Sequence, residues 1–231
     1  MNHLLTAAVA RRRALLSFFL VVLLPLGAVG SLAEDVWEGD GLFFDRPILT
    51  ALHAHATPTL DAAMLLFSRV GAPIPMLVFC LVVFGALFRT GRRGDATFFA
   101  VAVAGAMALN FGAKLLFGRA RPDLWLSIAP EHDYSFPSGH AMGSMAVAVA
   151  LVTLAWGTRW RWPVLSAGVA FVGLVGLSRL YLGVHYPSDV LTGWLASLAW
   201  VGGVALIRSS VFLRAVVHVR HAVTTQPRET A

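Results

Sequence analysis

The chain has 231 residues, 58% of them hydrophobic and only 13% charged, with a mean hydropathy of +0.74. A water-soluble domain of this length needs more polar surface, so the composition excludes an ordinary globular fold and points to one polytopic membrane domain over residues 1–231. The formal charge of +6 sits almost wholly on arginines in short connectors between apolar blocks. That fits the positive-inside pattern and excludes a nucleic-acid-binding face.

Apolar blocks of bilayer length fall at Ala14–Ala33, Ile74–Phe88, Ala96–Phe117, Ala141–Trp156, Pro163–Tyr181 and Val190–Ile207. No period-two alternation runs through them, so the expected fold is all-α, a polytopic six-transmembrane-helix bundle. A span needs roughly 20 apolar residues, so the second and fourth blocks are expected to extend into their flanks. The first block, with its basic lead and Ser31-Leu32-Ala33, also has the pattern of a cleavable signal peptide. It is long enough to span and is read as an uncleaved first helix over about residues 14–33.

Residues 34–69 are expected to form a periplasmic loop with an interfacial helix leading into the second span. His53 and His55 are read there as exposed loop histidines in preference to metal ligands, and Asp61 and Arg69 form a charge pair in sequence. Residues 70–207 supply five further spans, and residues 208–231 a cytoplasmic tail, disordered from Thr224. The single cysteine, Cys80, lies in an apolar run and cannot form an internal disulfide.

The arginines set the orientation. Arg11–Arg13, then Arg89, Arg92 and Arg93, then Arg159 and Arg161, and finally Arg208, Arg214 and Arg220 all fall on one side of six spans. That side is expected to be the cytoplasm, with both termini there. The opposite side receives Glu34, Asp35, Glu38, Asp40, Asp45, Asp123, Glu131 and Asp133.

Three ionisable clusters remain, each at the non-cytoplasmic end of an expected helix. In the first, Lys114, the only lysine, lies seven residues before Arg121. That is almost two helical turns, so both can share one face. Pro122 then marks the helix end. Taken alone, both cations could simply snorkel to the interface. The second cluster is Ser135-Phe-Pro137-Ser138-Gly139-His140. Ser138 can cap the following helix, whose free backbone N–H groups and positive dipole end suit a phosphate, and glycine permits close approach. The bland alternative is an ordinary cap with a chance histidine.

The third cluster runs from Ser178-Arg179 to His185-Tyr-Pro187-Ser-Asp189. Pro187 suits the first turn of the last helix, so Asp189 can reach back towards His185. A carboxylate on one imidazole nitrogen fixes the tautomer and frees the other to attack, while the Arg179 fork suits phosphate oxygens. A structural His–Asp tie is the alternative. Together the clusters supply three cations to hold phosphate, one histidine to attack and another to protonate the leaving oxygen.

Lys-x6-Arg-Pro, Pro-Ser-Gly-His and Ser-Arg-x5-His-x3-Asp, in that order over Lys114–Asp189, resemble the type 2 phosphatidic-acid phosphatase superfamily. The resemblance implies a lipid phosphatase in which His185 forms a phosphohistidine, Asp189 orients it and His140 is the general acid. It further implies that Lys114, Arg121, Arg179, Ser138 and the amide of Gly139 bind the phosphoryl oxygens, with no metal and no cofactor. Arg119, beside the motif, is read as facing lipid headgroups in preference to a second substrate phosphate.

The expected partners are a membrane lipid phosphate and the bilayer, with no nucleic acid and no obligate protein partner. Candidate substrates are an isoprenyl diphosphate, phosphatidylglycerol phosphate, phosphatidic acid or lipid A. A lipid phosphotransferase could use the same groups, and a non-catalytic phospholipid carrier would need only the cations. Haloperoxidase chemistry is disfavoured, because the resembling enzymes with that activity are larger and soluble. The arginine-rich, alanine-rich usage looks bacterial and places the site on the periplasmic or extracellular face of the inner membrane.

Overall fold

The computed structural model describes residues 12–39 and 41–209, together with Val9; the tail and the start of the chain lie outside it. Every regular element in the described residues is helical. The first, α1, runs over Arg12–Glu38, with a π-helical turn at Phe19–Leu23 and a left-handed Gly39 at its end. Then come α2 (Asp45–His53), α3 (Pro58–Val70), α4 (Pro73–Arg89), α5 (Arg93–Phe117), α6 (Gly139–Ala155), α7 (Arg161–Tyr181) and α8 (Pro187–Arg208).

Local chemistry sets several boundaries. Pro58, Pro73 and Pro187 each open a helix, where the missing N–H costs nothing. Thr57 caps α3 by accepting from the Leu60 N–H, and Gly118 closes α5 in the left-handed region at φ 56°.

α6 is the central helix. It packs against α5, α7 and α8, while α1 lies on α8, α3 on α7 and α4 on α5. The core gathers Phe98, Phe99, Ala102 and Ala106 of α5 with Met142, Ala146 and Ala150 of α6 and Val201 of α8. The alanines let the backbones approach closely, which is how helices associate where no water drives them together. α4 has no buried residue, and its Val78, Phe79 and Val82 point outward with the apolar side chains of α1. A surface this apolar faces lipid.

Four of the described helices are long and apolar enough to cross a membrane, and α3 with α4, bent by 49°, counts as a fifth if it is one span. The second and fourth blocks lengthen into their flanks only slightly, short of the roughly 20 residues expected of a span. α4 and α6 each stop at 17 residues. Pro73 starts α4 just after the bend, and Ser138 caps α6 where buried protein, not lipid, surrounds its end. The expected interfacial helix is a pair, α2 and α3. The Asp61 carboxylate accepts from the Tyr181 hydroxyl at 2.7 Å. His53 is not a free loop residue, for it stacks on Trp125 with ring centroids 4.0 Å apart.

Because successive long helices alternate in direction, the end of α5, the start of α6, the end of α7 and the start of α8 meet at one end of the bundle. α2 packs there against α7 and α8. The buried polar side chains Asp45, Ser135, Ser138, Arg179, His185, Ser188 and Asp189 all belong to this end.

Candidate active site

The site is assembled around the N-terminus of α6. The Ser138 hydroxyl accepts from the Ala141 N–H at 3.5 Å, and its backbone N–H donates to the Asp189 carbonyl at 3.1 Å. The Asn110 amide donates to the Pro137 carbonyl at 3.0 Å, pinning the turn from α5. α8 crosses this turn at backbone distance: a Cβ on Gly193 would stand 2.9 Å from the Ser138 carbonyl. Only glycine fits there.

His185 lies in the turn between α7 and α8, where Gly183 takes φ 67°. Its Nδ1 is 3.4 Å from Asp189 Oδ2. That oxygen also accepts from the Tyr186 N–H at 2.8 Å and from the Ser135 hydroxyl. Asp189 Oδ1 accepts from Arg119 at 2.5 Å. On the other side of the ring, Arg121 Nη1 is 3.0 Å from His185 Nε2. A guanidinium only donates, so Nε2 carries the lone pair and Nδ1 the proton that points at Asp189. Burial lowers the His185 pKa to about 4, against the upward pull of Asp189. The imidazole is therefore neutral near pH 7, the state a nitrogen nucleophile requires.

Three cations face two carboxylates of the 119–138 segment. Lys114 Nζ is 2.6 Å from Asp133 Oδ2 and also donates to the Tyr134 carbonyl. Arg121 pairs with Asp133 and, at 2.7 Å, with Glu131, and donates to the Val184 carbonyl at 2.6 Å. Arg179 pairs with Glu131 and donates to the Ser68 hydroxyl, while its buried Nε has no hydrogen-bond partner among the described residues. Burial pushes both carboxyls up, but the cations win. Hydrogen bonds from Lys114 and Arg121 bring Asp133 down to about 2, and the charges of Arg179 and Arg121 hold Glu131 below its ordinary value.

A cavity of about 790 Å³ leads to this cluster between α4, α5 and α6. Lys114, Gly139, His140 and His185 form its polar end, with Glu131 and Asp133. Leu77, Leu81, Phe84, Phe99 and Met107 belong to its apolar wall. Arg121, Arg179, Ser138 and Asp189 stand outside that wall. All eight expected site residues thus converge on one end of the bundle, with Ser138 as a buried cap and Asp189 behind His185.

Sequence reasoning missed a second layer. Arg119 does not face headgroups. It reaches Asp189 and, at 2.9 Å, Asp45, donates to the Ser188 hydroxyl at 2.8 Å and lies over the Tyr186 ring. Two buried carboxylates outweigh the pull of the surface. Asp45, expected among outer-face acids, is 2% exposed and accepts from the Ser188 N–H at 2.9 Å. Its position at the start of an amphipathic helix was the one available signal. Ser135 was in view within its cluster, but its bond to Asp189 spans 54 residues and leaves no mark in sequence spacing.

Residues 95–212 match the model of the PAP2 superfamily. The chain is 30% identical over 162 residues to an undecaprenyl-diphosphatase of Sulfolobus acidocaldarius, covering 68% of this chain and 75% of the relative. It is 31% identical over 163 residues to phosphatidylglycerophosphatase B of Bacillus subtilis, covering 67% and 78%. The fold is that of the crystal structure of a transmembrane PAP2-type phosphatidylglycerolphosphate phosphatase from Bacillus subtilis, with a TM-score of 0.67 at 22% identity over 89% of this chain and 98% of the other.

Proposed function

We propose that this chain, which belongs to the PAP2 superfamily of membrane lipid phosphatases, hydrolyses a lipid phosphate through a phosphohistidine on His185. The observation that carries the reading is the two-sided setting of His185, with Asp189 on Nδ1 and a lone pair on Nε2 directed at the cation cluster.

In the first step Nε2 attacks phosphorus, the bond to the leaving oxygen breaks, and His140 gives that oxygen a proton. Asp189 holds Nδ1–H and balances the charge that grows on the ring. In the second step water attacks the phosphohistidine, gives a proton to His140, and inorganic phosphate leaves. Lys114, Arg121 and Arg179, with Ser138 and the Gly139 amide at the α6 N-terminus, neutralise the phosphoryl oxygens. No step uses a metal.

The substrate is a lipid, because the cavity wall runs along α5 from Lys114 to Phe99. That is about 22 Å of helix, the reach of a long apolar chain. An isoprenyl diphosphate, phosphatidylglycerol phosphate, phosphatidic acid and lipid A are the candidates. We read six spans with cytoplasmic termini, counting the short α6 among them, and so assign the site to the periplasmic face of the inner membrane; Arg89, Arg92, Arg93, Arg159 and Arg161 at the opposite end of the bundle support that orientation.

The test is phosphate release from those four lipids by wild type and His185→Ala in detergent with EDTA. Release by wild type, lowered at least about a thousandfold in the variant, is expected. Turnover of the variant within a few-fold of wild type rejects the nucleophile. Phosphate transferred to an added acceptor lipid, without release, assigns a phosphotransferase instead.

A further inference from the structure

The cations assigned to phosphate binding are already paired with anions of the same chain. Glu131 bridges Arg121 and Arg179, and its Oε2 lies 4.0 Å from His185 Nε2. That is where a phosphoryl group must stand to be attacked. Asp133 bridges Lys114 and Arg121 beside it. Both carboxylates line the cavity, whereas the two arginines they bind do not. A lipid phosphate coming through the cavity therefore meets the carboxylates first. Arg179 Nε, buried and unpartnered, is a donor that Glu131 leaves unused and that a phosphoryl group, with one more oxygen, can engage.

From this arrangement we infer that Glu131 and Asp133 set the threshold for substrate binding, a built-in counter-charge that only a phosphoryl group carrying more than one negative charge displaces. The inference rests on the phosphatase reading of the site.

The reason is the composition of a bilayer. Its bulk lipids are phosphodiesters with one negative charge on phosphorus, present in vast excess at the mouth of such a site. A phosphomonoester carries about −1.5 to −2 at neutral pH. Against three bare cations, one monoanion would bind well and block the site. Against three cations already balanced by two carboxylates, a monoanion that expels Glu131 exchanges one charge for another and gains little. A dianion gains a full extra attraction and reaches Arg179 Nε as well. The anchoring leaves Glu131 and Asp133 within reach: Ser127 donates to the Leu182 carbonyl and the Ser135 N–H to the Arg119 carbonyl, on either side of residues 131–133. The Asp133 side chain is 61% exposed, so it can swing to solvent without unfolding anything.

The experiment measures binding without turnover. Inorganic phosphate and dimethyl phosphate are titrated calorimetrically at pH 8 into detergent-purified wild type, Glu131→Gln and Asp133→Asn, with thermal unfolding as the check on folding. Wild type is expected to bind phosphate at least about tenfold more tightly than the monoanionic diester. Glu131→Gln is expected to bind phosphate and dimethyl phosphate each about tenfold more tightly than wild type, which brings the monoanionic diester into measurable binding. Asp133→Asn moves both in the same direction, by about threefold. Phosphate binding that is unchanged or weaker in the folded variants overturns the inference. Should Glu131→Gln not fold, the exposed Asp133→Asn decides alone by the same criterion. A wild type that binds phosphate yet releases none from lipids refutes the phosphatase reading and leaves the counter-charge result standing.

Discussion

Two arginine–carboxylate clusters flank His185, and they differ in what surrounds them. On the Nε2 side, Arg121 and Arg179 meet Glu131 and Asp133, whose side chains are 28% and 61% exposed. On the Nδ1 side, Arg119 meets Asp45 and Asp189, at 2% and 0%. The ion pairs are chemically alike, but only the carboxylates of the first are open to water. A carboxylate with water beside it leaves at modest cost, whereas one sealed among Ser135, Ser188 and Tyr186 has nowhere to go. The buried cluster fixes the geometry of His185, and on the function proposed for the site the open one holds a place for the substrate.

Asp189→Asn tests the buried side most severely. An amide can present its N–H to Nδ1 and stabilise the wrong tautomer, so kcat is expected to fall about a thousandfold while phosphate binding changes little. A loss below tenfold would mean that Asp189 does not orient the ring. Asp45→Ala should cost about 3 kcal/mol in thermal unfolding, because it removes one of two buried partners of Arg119 and strands the Ser188 N–H. If it costs no more than an exposed substitution, the distinction between the clusters fails.

The titration of His185 sharpens the comparison. Its imidazole should be neutral above about pH 4 and protonate only as pH falls through that value, against 6.5 for the ordinary side chain. Histidine NMR with His185→Asn as the assignment control measures this; a value at or above 6.5 would show Asp189 outweighing burial. The smallest effect belongs to Asp133→Asn. Its carboxyl is held at about 2, so its pairs persist above that pH and dissolve as pH falls through it. Exposure screens them, and stability at pH 7 should change by less than about 1 kcal/mol.

Much of the site was legible in the sequence because its parts are local. Lys114 and Arg121 share a helix end, Ser138 is a cap three residues from its donor, and His185 and Asp189 are four apart across a helix start. Hydropathy likewise located the apolar blocks, since the bilayer's thickness is written into run length. What sequence reasoning misjudged were residues whose partners are remote. Arg119 turned inward to Asp45, 74 positions away, and no spacing marked Glu131 and Asp133 as partners of Lys114, Arg121 and Arg179. The span requirement of roughly 20 residues overestimated α4 and α6, which have 17 each, because a helix end enclosed by protein need not cross the whole bilayer.

The sequence by itself determined the membrane environment, the helical class and the chemistry of the reacting groups, all of which follow from composition and short-range spacing. Only the tertiary structure decided which carboxylates are sealed and which stay open to water. That choice depends on burial, and burial is a property of helices packed from distant parts of the chain.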